Sequence, residues 1–562
     1  MLAPEPMNLQ SSVRWAVALT LFLVIAPHWL LTRDLADGAV ISFTRAIGNA
    51  EGLFLWLSNS NWFLAIAYYK IVFVLSDLTG FSYLVFVKCF LSMLLVGLYL
   101  ECSLFARDVL KLPANHAALA ALLCVASPCL YTLANTSATI SLLCLWLVLT
   151  GHRLYWSDKV LVRIIGLALL VVSFQVNSNL VFALALDTVR LWQFKNLRKQ
   201  RLVWFLTLFM VAVLFFITMR AISPPKQSFV EYNQLLNPLN AGELHRMVRA
   251  TAMFLTWGVI PLMALAAVFF ASFIFRSRQK NYLLPEAVQS RQSLSLVLAL
   301  GFLATAASFP YIAVGKGAPL FTLTAYGNGL TEQVLRAAYQ GPLAPTWANT
   351  AARHGFLISV PVGLLTWIAA VGLAQKMRMR LSPLGLYSLL LPFALFWVLP
   401  AYGNKLQNQW AELSLVKGFR ELPAAEAGIV ELKYQPISSW LIWSTSANMI
   451  LREAWGKSEH LGFFYSVNAY KDDLYWQYQA YILNTGVLQS RTGQHTSAMD
   501  GFPGADCYTK YQGLWPTPTT SQLIFGGWFS EMVTAATIQH VESECEVGRV
   551  LPNPYPNKKV IY

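Results

Sequence analysis

Charge is scarce in this chain. Asp, Glu, Lys and Arg together supply 12% of its 562 residues, while 56% are hydrophobic. A soluble protein of this length has no use for so much apolar surface. Runs of about 18–22 apolar residues recur over the first four hundred residues, the length that crosses a bilayer as a helix. Signals for several chemistries are missing as well. There is no phosphate-cradling Walker loop and no dinucleotide-binding glycine fingerprint, so a nucleotide cofactor has no support. Neither the seven cysteines nor the eight histidines show zinc-ligand spacing. Internal repeats and low-complexity tracts are absent.

The charge that is present is unbalanced, 41 basic residues against 27 acidic ones, a formal +14. Most of the excess lies in short loops between apolar runs: Arg107 and Lys111; Arg153, Lys159 and Arg163; Arg190 to Arg201; Arg276 to Lys280; Lys376 to Arg380. That is the positive-inside pattern of a multi-span protein, and it speaks against a nucleic-acid surface. The spans are expected near Ser12–Leu31, Tyr83–Phe105, Ala117–Leu133, Ser137–Leu149, Leu161–Phe174, Leu180–Leu191, Trp204–Met219, Met253–Phe275, Leu294–Ala313, Gly355–Ala374 and Leu384–Leu399. The first has no small-residue cleavage site before Arg33 and reads as a retained signal anchor.

Topology turns on the aromatic segment 53–57 and the run from Trp62 to Leu75. If that run crosses, the basic loops fall outside, against the charge rule. The expectation is therefore a polytopic α-helical membrane protein of about 11 transmembrane helices in residues 1–402, with a first external loop at 33–81. The N-terminus is cytoplasmic, and the aromatic segment lies along the interface or dips back. Residues 403–562 form a soluble α/β domain on the far side, the periplasm of a bacterial inner membrane. Its expected elements are an amphipathic helix at Asn404–Leu422, strands at Gly428–Leu432 and Leu461–Tyr465, and helices at Thr445–Trp455 and Phe529–His540. Cys507 and Cys545 are the two cysteines of this region and pair plausibly as a disulfide in an oxidising compartment. Its aromatics, Trp476, Tyr478, Tyr481, Trp515 and Trp528, read equally as a sugar platform or as core.

Candidate chemistry gathers on the outward loops. The first offers Asp34, Asp37, Arg45 and Glu51; later ones offer Arg246, Arg249, Lys316 and Arg353. A carboxylate can take a proton from an attacking hydroxyl, and cations can hold a departing phosphate. The bland readings stand beside these. Asp34 can pair with Arg33 at the membrane boundary, either aspartate can cap the next helix, and Arg246 and Arg249 can bind lipid headgroups. Lys316 lies between glycines that let backbone approach a ligand.

In its spans, its long first external loop with acidic residues just after span one, its interface-lying segment and its soluble C-terminal domain, the chain resembles the GT-C superfamily of integral-membrane glycosyltransferases. That resemblance implies a polyprenyl-phosphate-sugar donor and transfer with inversion to a glycan, a lipid-linked acceptor or a surface protein such as a pilin. It implies a catalytic base or metal ligand at Asp37 or Asp34. The adjacent acidic pair common in the family is absent, which leaves the base, and any divalent metal, open. Two alternatives stay on the table: an O-antigen polymerase or ligase leaning on later-loop cations, and a lipid-linked-sugar flippase or transporter.

Overall fold

The computed structural model describes residues 9–33, 41–42, 45, 50–59, 62–127, 136–193, 198–222, 235–275, 290–316, 355–379, 381–425, 429–434, 444–456, 461–466 and 507–545. They are mostly helical. In order the helices are α1 (Ser11–Leu30), α2 (Ala50–Asn59), α3 (Phe63–Thr79), α4 (Tyr83–Asp108), α5 (Ala114–Val125), α6 (Thr136–Tyr155), α7 (Val160–Ser173), α8 (Asn177–Gln193), α9 (Arg198–Ile222), α10 (Ala241–Leu255), α11 (Val259–Phe275), α12 (Ser290–Ile312), α13 (Ser359–Lys376) and α14 (Pro383–Arg420). Strand β1 (Ile429–Tyr434), α15 (Ser444–Trp455), β2 (Leu461–Ser466), β3 (Cys507–Leu514), α16 (Thr520–Phe525) and β4 (Thr537–Cys545) follow.

Five helical segments are long and apolar enough to cross a membrane: Ser11–Leu30, Tyr83–Asp108, Ala241–Phe275, Leu294–Ile312 and Ser359–Lys376. Five shorter apolar stretches, Ala114–Val125, Thr139–Tyr155, Val160–Ser173, Leu202–Thr218 and Pro383–Pro392, have 10–17 residues, three of them inside longer helices, and a stretch of 17 at 1.5 Å per residue is shorter than a core about 30 Å thick. The helices thus match a helical membrane protein, with five full-length candidates among the described residues and not eleven. The shortfall has local causes. The span expected at Ala117–Leu133 stops at Val125, just before Ser127-Pro128, where proline disfavours a helical residue ahead of it.

The chain divides into two compact units, one of Met1–His28, Asn61–Ala134 and Ala138–Ala401, the other of Trp29–Ser60, Asn135–Ser137 and Tyr402–Tyr562. In the first, α5 and α13 form the buried centre, packed on each other. A Cβ on Gly363 of α13 would lie 2.7 Å from the backbone of Cys124, so only glycine allows this approach, as small residues do between membrane helices. A two-donor ion pair from Arg153 to Glu101, both contacts 2.8 Å, ties α6 to α4. Gly80, at φ 74°, ends α3, and Ser82 caps α4 through its hydroxyl. Phe73 then meets Tyr83 and Tyr68 meets Phe90. Falling numbers on one helix against rising numbers on the other make α3 and α4 an antiparallel hairpin.

The second unit holds a four-stranded mixed sheet in the order β2-β1-β3-β4, parallel except for β3–β4. Val430, Leu432 and Tyr434 alternate on β1, as a pleated strand requires, and meet Leu415, Val416 and Phe419 of α14 and Ala447, Ile450 and Leu451 of α15 in one core. Two expectations fail here. Asn404–Leu422 is not a separate helix but the end of α14, which continues through the last apolar run. Phe529–His540 is not a helix: a short 3-10 turn, Ser530–Met532, leads into β4. Ile538 on β4 enters the core, and strand pairing overrides the local helical spacing.

Candidate functional site

A cluster of buried charged and polar side chains lies in the second unit, where the chain leaves α1. Along α14, Lys405, Gln409 and Glu412 are 6%, 1% and 7% exposed. Their spacing of four and three residues puts them on one helix face, so α14 buries a polar stripe beside its apolar one. Gln409 uses its whole amide on the exit from α1. Its Oε1 accepts from the backbone N–H of Thr32 at 2.6 Å and of Arg33 at 3.1 Å, and its Nε2 donates to the Leu30 carbonyl at 3.1 Å. Of these, the Leu30 carbonyl is one of the four that the C-terminal end of a helix leaves unsatisfied.

Arg33 then reaches two carboxylates. One guanidinium nitrogen lies 3.3 Å from Glu412 on α14, and the other bonds Glu453 on α15. Arg420 donates to the Glu453 carbonyl, at 3.3 Å through Nε and 3.1 Å through Nη2. Burial works against the Arg33 charge, but Glu453 and Glu412 outweigh it and hold the guanidinium above its ordinary value. Burial pushes the Glu412 carboxyl up to about 7, against the pull of Arg33 and the Ser446 hydroxyl and with the repulsion of Glu453. Burial is thus the main reason that the Glu412 carboxyl is raised, with the neighbouring Glu453 charge adding to it.

A second cluster belongs to the first unit and joins residues expected on different loops. Gly315, at φ 69°, closes the end of α12; a Cβ there would lie 3.3 Å from Nε of Arg246. Arg246 of α10 therefore passes over Gly315, next to Lys316. The Leu236 N–H donates to the Ala313 carbonyl at 2.9 Å and fixes this approach, and Asn240 caps α10. Tyr311 and Ser178 share a hydroxyl contact of 2.8 Å, which brings in the turn between α7 and α8. In that turn Gln175 accepts from the Leu64 N–H at 2.7 Å and Asn179 donates to the Ser173 carbonyl at 3.0 Å. Both amides are therefore engaged in holding the fold.

The expected site residues sort as follows. Arg246 lies against Gly315, the residue before Lys316; Arg249 is exposed one turn along α10. Glu51 is exposed in the first turn of α2, and Arg45 is half-buried. Asp34, Asp37 and Arg353 lie outside the described residues, as do Trp476, Tyr478 and Tyr481. Cys545 is disulfide-bonded, and the β3–β4 register sets Cys507 opposite it. Trp515 is core: it packs on Tyr434 with centroids 4.7 Å apart and donates to the Ala411 carbonyl. Among the described residues no group of three or more His, Cys, Asp or Glu is placed to hold a metal. Gln409, Glu412 and Glu453 were missed, although the 405/409/412 spacing was a readable signal.

One more buried group sits apart from both clusters. In the first unit a single oxygen of Asp187 on α8 lies 2.9 Å from Nε2 of His152 and takes the Trp156 indole N–H at 2.5 Å. Asp187 is 0% and His152 1% exposed. Compared with family models, with curated proteins and with solved structures, the chain matches none.

Proposed function

We propose that this protein is an inverting glycosyltransferase that moves a sugar from a polyprenyl-phosphate donor to a glycan, a lipid-linked acceptor or a surface protein such as a pilin. It works on the periplasmic face of a bacterial inner membrane. The observation that carries the reading is the clamp of Gln409 and Glu412 on Thr32 and Arg33. It secures Thr32 and Arg33, the residues that precede Asp34 and Asp37 in the sequence, and such catalysis needs a placed general base. In this reading Asp37, with Asp34 as the other candidate, takes the acceptor proton. Arg246, Lys316, Arg249 and Arg353 bind the phosphate, and Glu51 and Arg45 the rest of the donor or acceptor.

The topology proposed is eleven crossings, N-terminus inside. Arg33 follows the first crossing and touches Glu412, which follows the last, so both face the same side. That requires an even number of crossings between them. Taking Ala241–Phe275 as one crossing, the helices from α4 to α14 supply ten, provided α3 dips in beside α4 and returns.

Transfer from polyprenyl-phosphate sugars by purified protein tests the reading. Asp37→Asn or Asp34→Asn is expected to abolish transfer with insertion unchanged; full activity in both would remove the proposed base. The His152–Asp187 pair favours a second reading, a lipid-linked-sugar transporter, because ionisable groups buried between membrane helices mark conducting paths. Flux across vesicles without any sugar transfer would select it.

A further inference from the structure

Phe525, Trp528, Phe529 and Met532 are 46%, 55%, 50% and 40% exposed within eight residues of the second unit. Four large apolar side chains turned outward in so short a stretch form a patch, not a scatter of single residues. The stretch is firmly built. The Phe525 carbonyl accepts from the N–H groups of Trp528 and Phe529 at 3.0 and 2.9 Å, and Met532 donates to the Phe529 carbonyl at 3.0 Å. Gln522 donates to the Met532 carbonyl and the Thr534 hydroxyl, each at 2.8 Å. Lys417 donates to the carbonyls of Glu531 and Val533 at 3.0 and 2.7 Å. The backbone of the stretch is thus held at several points along its length.

Its level is set by α1. The Trp528 indole N–H donates to the Trp29 carbonyl at 3.0 Å, and the Thr32 hydroxyl donates to the Gly527 carbonyl at 3.0 Å. Trp29 is in the last turn of α1, an apolar helix of crossing length whose Trp15, Leu19 and Phe22 are 75%, 56% and 66% exposed. The patch is therefore pinned to the place where that helix ends. Tryptophan and phenylalanine favour this depth, since the rings enter the acyl boundary while the indole N–H keeps a polar partner.

We propose that residues Phe525–Met532 form a membrane-seated foot of the C-terminal unit, with Phe525, Trp528, Phe529 and Met532 inserted into the lipid interface beside the end of α1. The occupant is the bilayer surface. The inference rests on α1 crossing that bilayer and not on the sugar-transfer reading, so either can fail alone.

The test uses the full chain in phosphatidylcholine–phosphatidylglycerol nanodiscs. Cys89, an exposed free thiol, is first changed (Cys89→Ser). A single fluorophore is then placed by Phe529→Cys, or separately by Phe525→Cys in case the first variant folds poorly; Leu19→Cys on α1 serves as the lipid-facing reference. Lipids with a nitroxide near the headgroup should quench the Phe529 and Phe525 labels at least half as strongly as the Leu19 label. Aqueous iodide should quench them several-fold less than free dye. Strong iodide quenching with none from the lipid nitroxide would overturn the proposal in favour of a water-facing patch. Shelter from both quenchers would overturn it in favour of a protein contact.

Discussion

Arg33 carries more of this protein's second unit than its position suggests. It is a buried cation at a helix exit, and its neutrality depends on two acids from separate helices, Glu412 and Glu453. Removing one partner of such a group leaves charge stranded, at a cost of about 3–5 kcal/mol. Glu412 adds a pH dependence. Its carboxyl is raised from 4.5 to about 7, so the folded state holds the proton more tightly than the unfolded chain. The stabilisation from that proton is complete below pH 4.5 and is lost as pH rises through 7, a change on the order of 3 kcal/mol. Thermal unfolding of the purified protein should therefore show a midpoint that declines between pH 4.5 and 7. Glu412→Gln should flatten that decline; an unaltered slope would mean that Glu412 is not its source.

At the scale of elements, the end of α14 and the strand pair β3–β4 decide the second unit. α14 contributes Leu415, Val416 and Phe419 to the core and Gln409 and Glu412 to the clamp, so one helix both builds the unit and secures the loop. The β3–β4 pair closes its sheet, with Cys507 across from the disulfide-bonded Cys545. If these two cysteines are the pair, Cys507→Ser should cost roughly 2–4 kcal/mol. Under non-reducing conditions peptide mapping of the unaltered protein should recover one linked fragment containing both residues. Recovery of Cys545 linked to a different cysteine would discard the pairing. The alternation that marks β1 and β2 was visible in the apolar residues of Gly428–Leu432 and Leu461–Tyr465. β4 was not, because Ala535, Ala536 and Ile538 follow one another at a spacing compatible with either structure, and only pairing with β3 separates the two.

For the whole molecule, the sidedness we propose rests on the charge rule and on Arg33 meeting Glu412. Cysteine accessibility in intact cells checks both: a reporter in the basic 194–197 connection should resist impermeant reagent, and one at Gln539 should react. Reaction at both sites would reverse the assignment for the basic loops. The α3–α4 hairpin is the element on which the parity rests. In the proposed eleven-crossing topology α3 does not cross, since one more crossing would put Arg33 and Glu412, 3.3 Å apart, on opposite sides.

Composition alone pointed to a helical membrane protein, since 56% hydrophobic residues in recurrent runs suit helices that satisfy their own backbone groups in lipid. It also marked many of the helices, because hydropathy is a local property, but not the number long enough to cross, five among the described residues against eleven expected. The gathering of Arg246 onto Gly315, and of Arg33 onto Glu412 and Glu453, was decided only by tertiary structure. Those partners are separated by tens to hundreds of residues, and no local pattern records which buried acid a given arginine will meet. Nor could spacing alone reveal that the run after Trp62 folds back along α4, since that depends on Tyr68 and Phe73 finding Phe90 and Tyr83 across a three-residue turn.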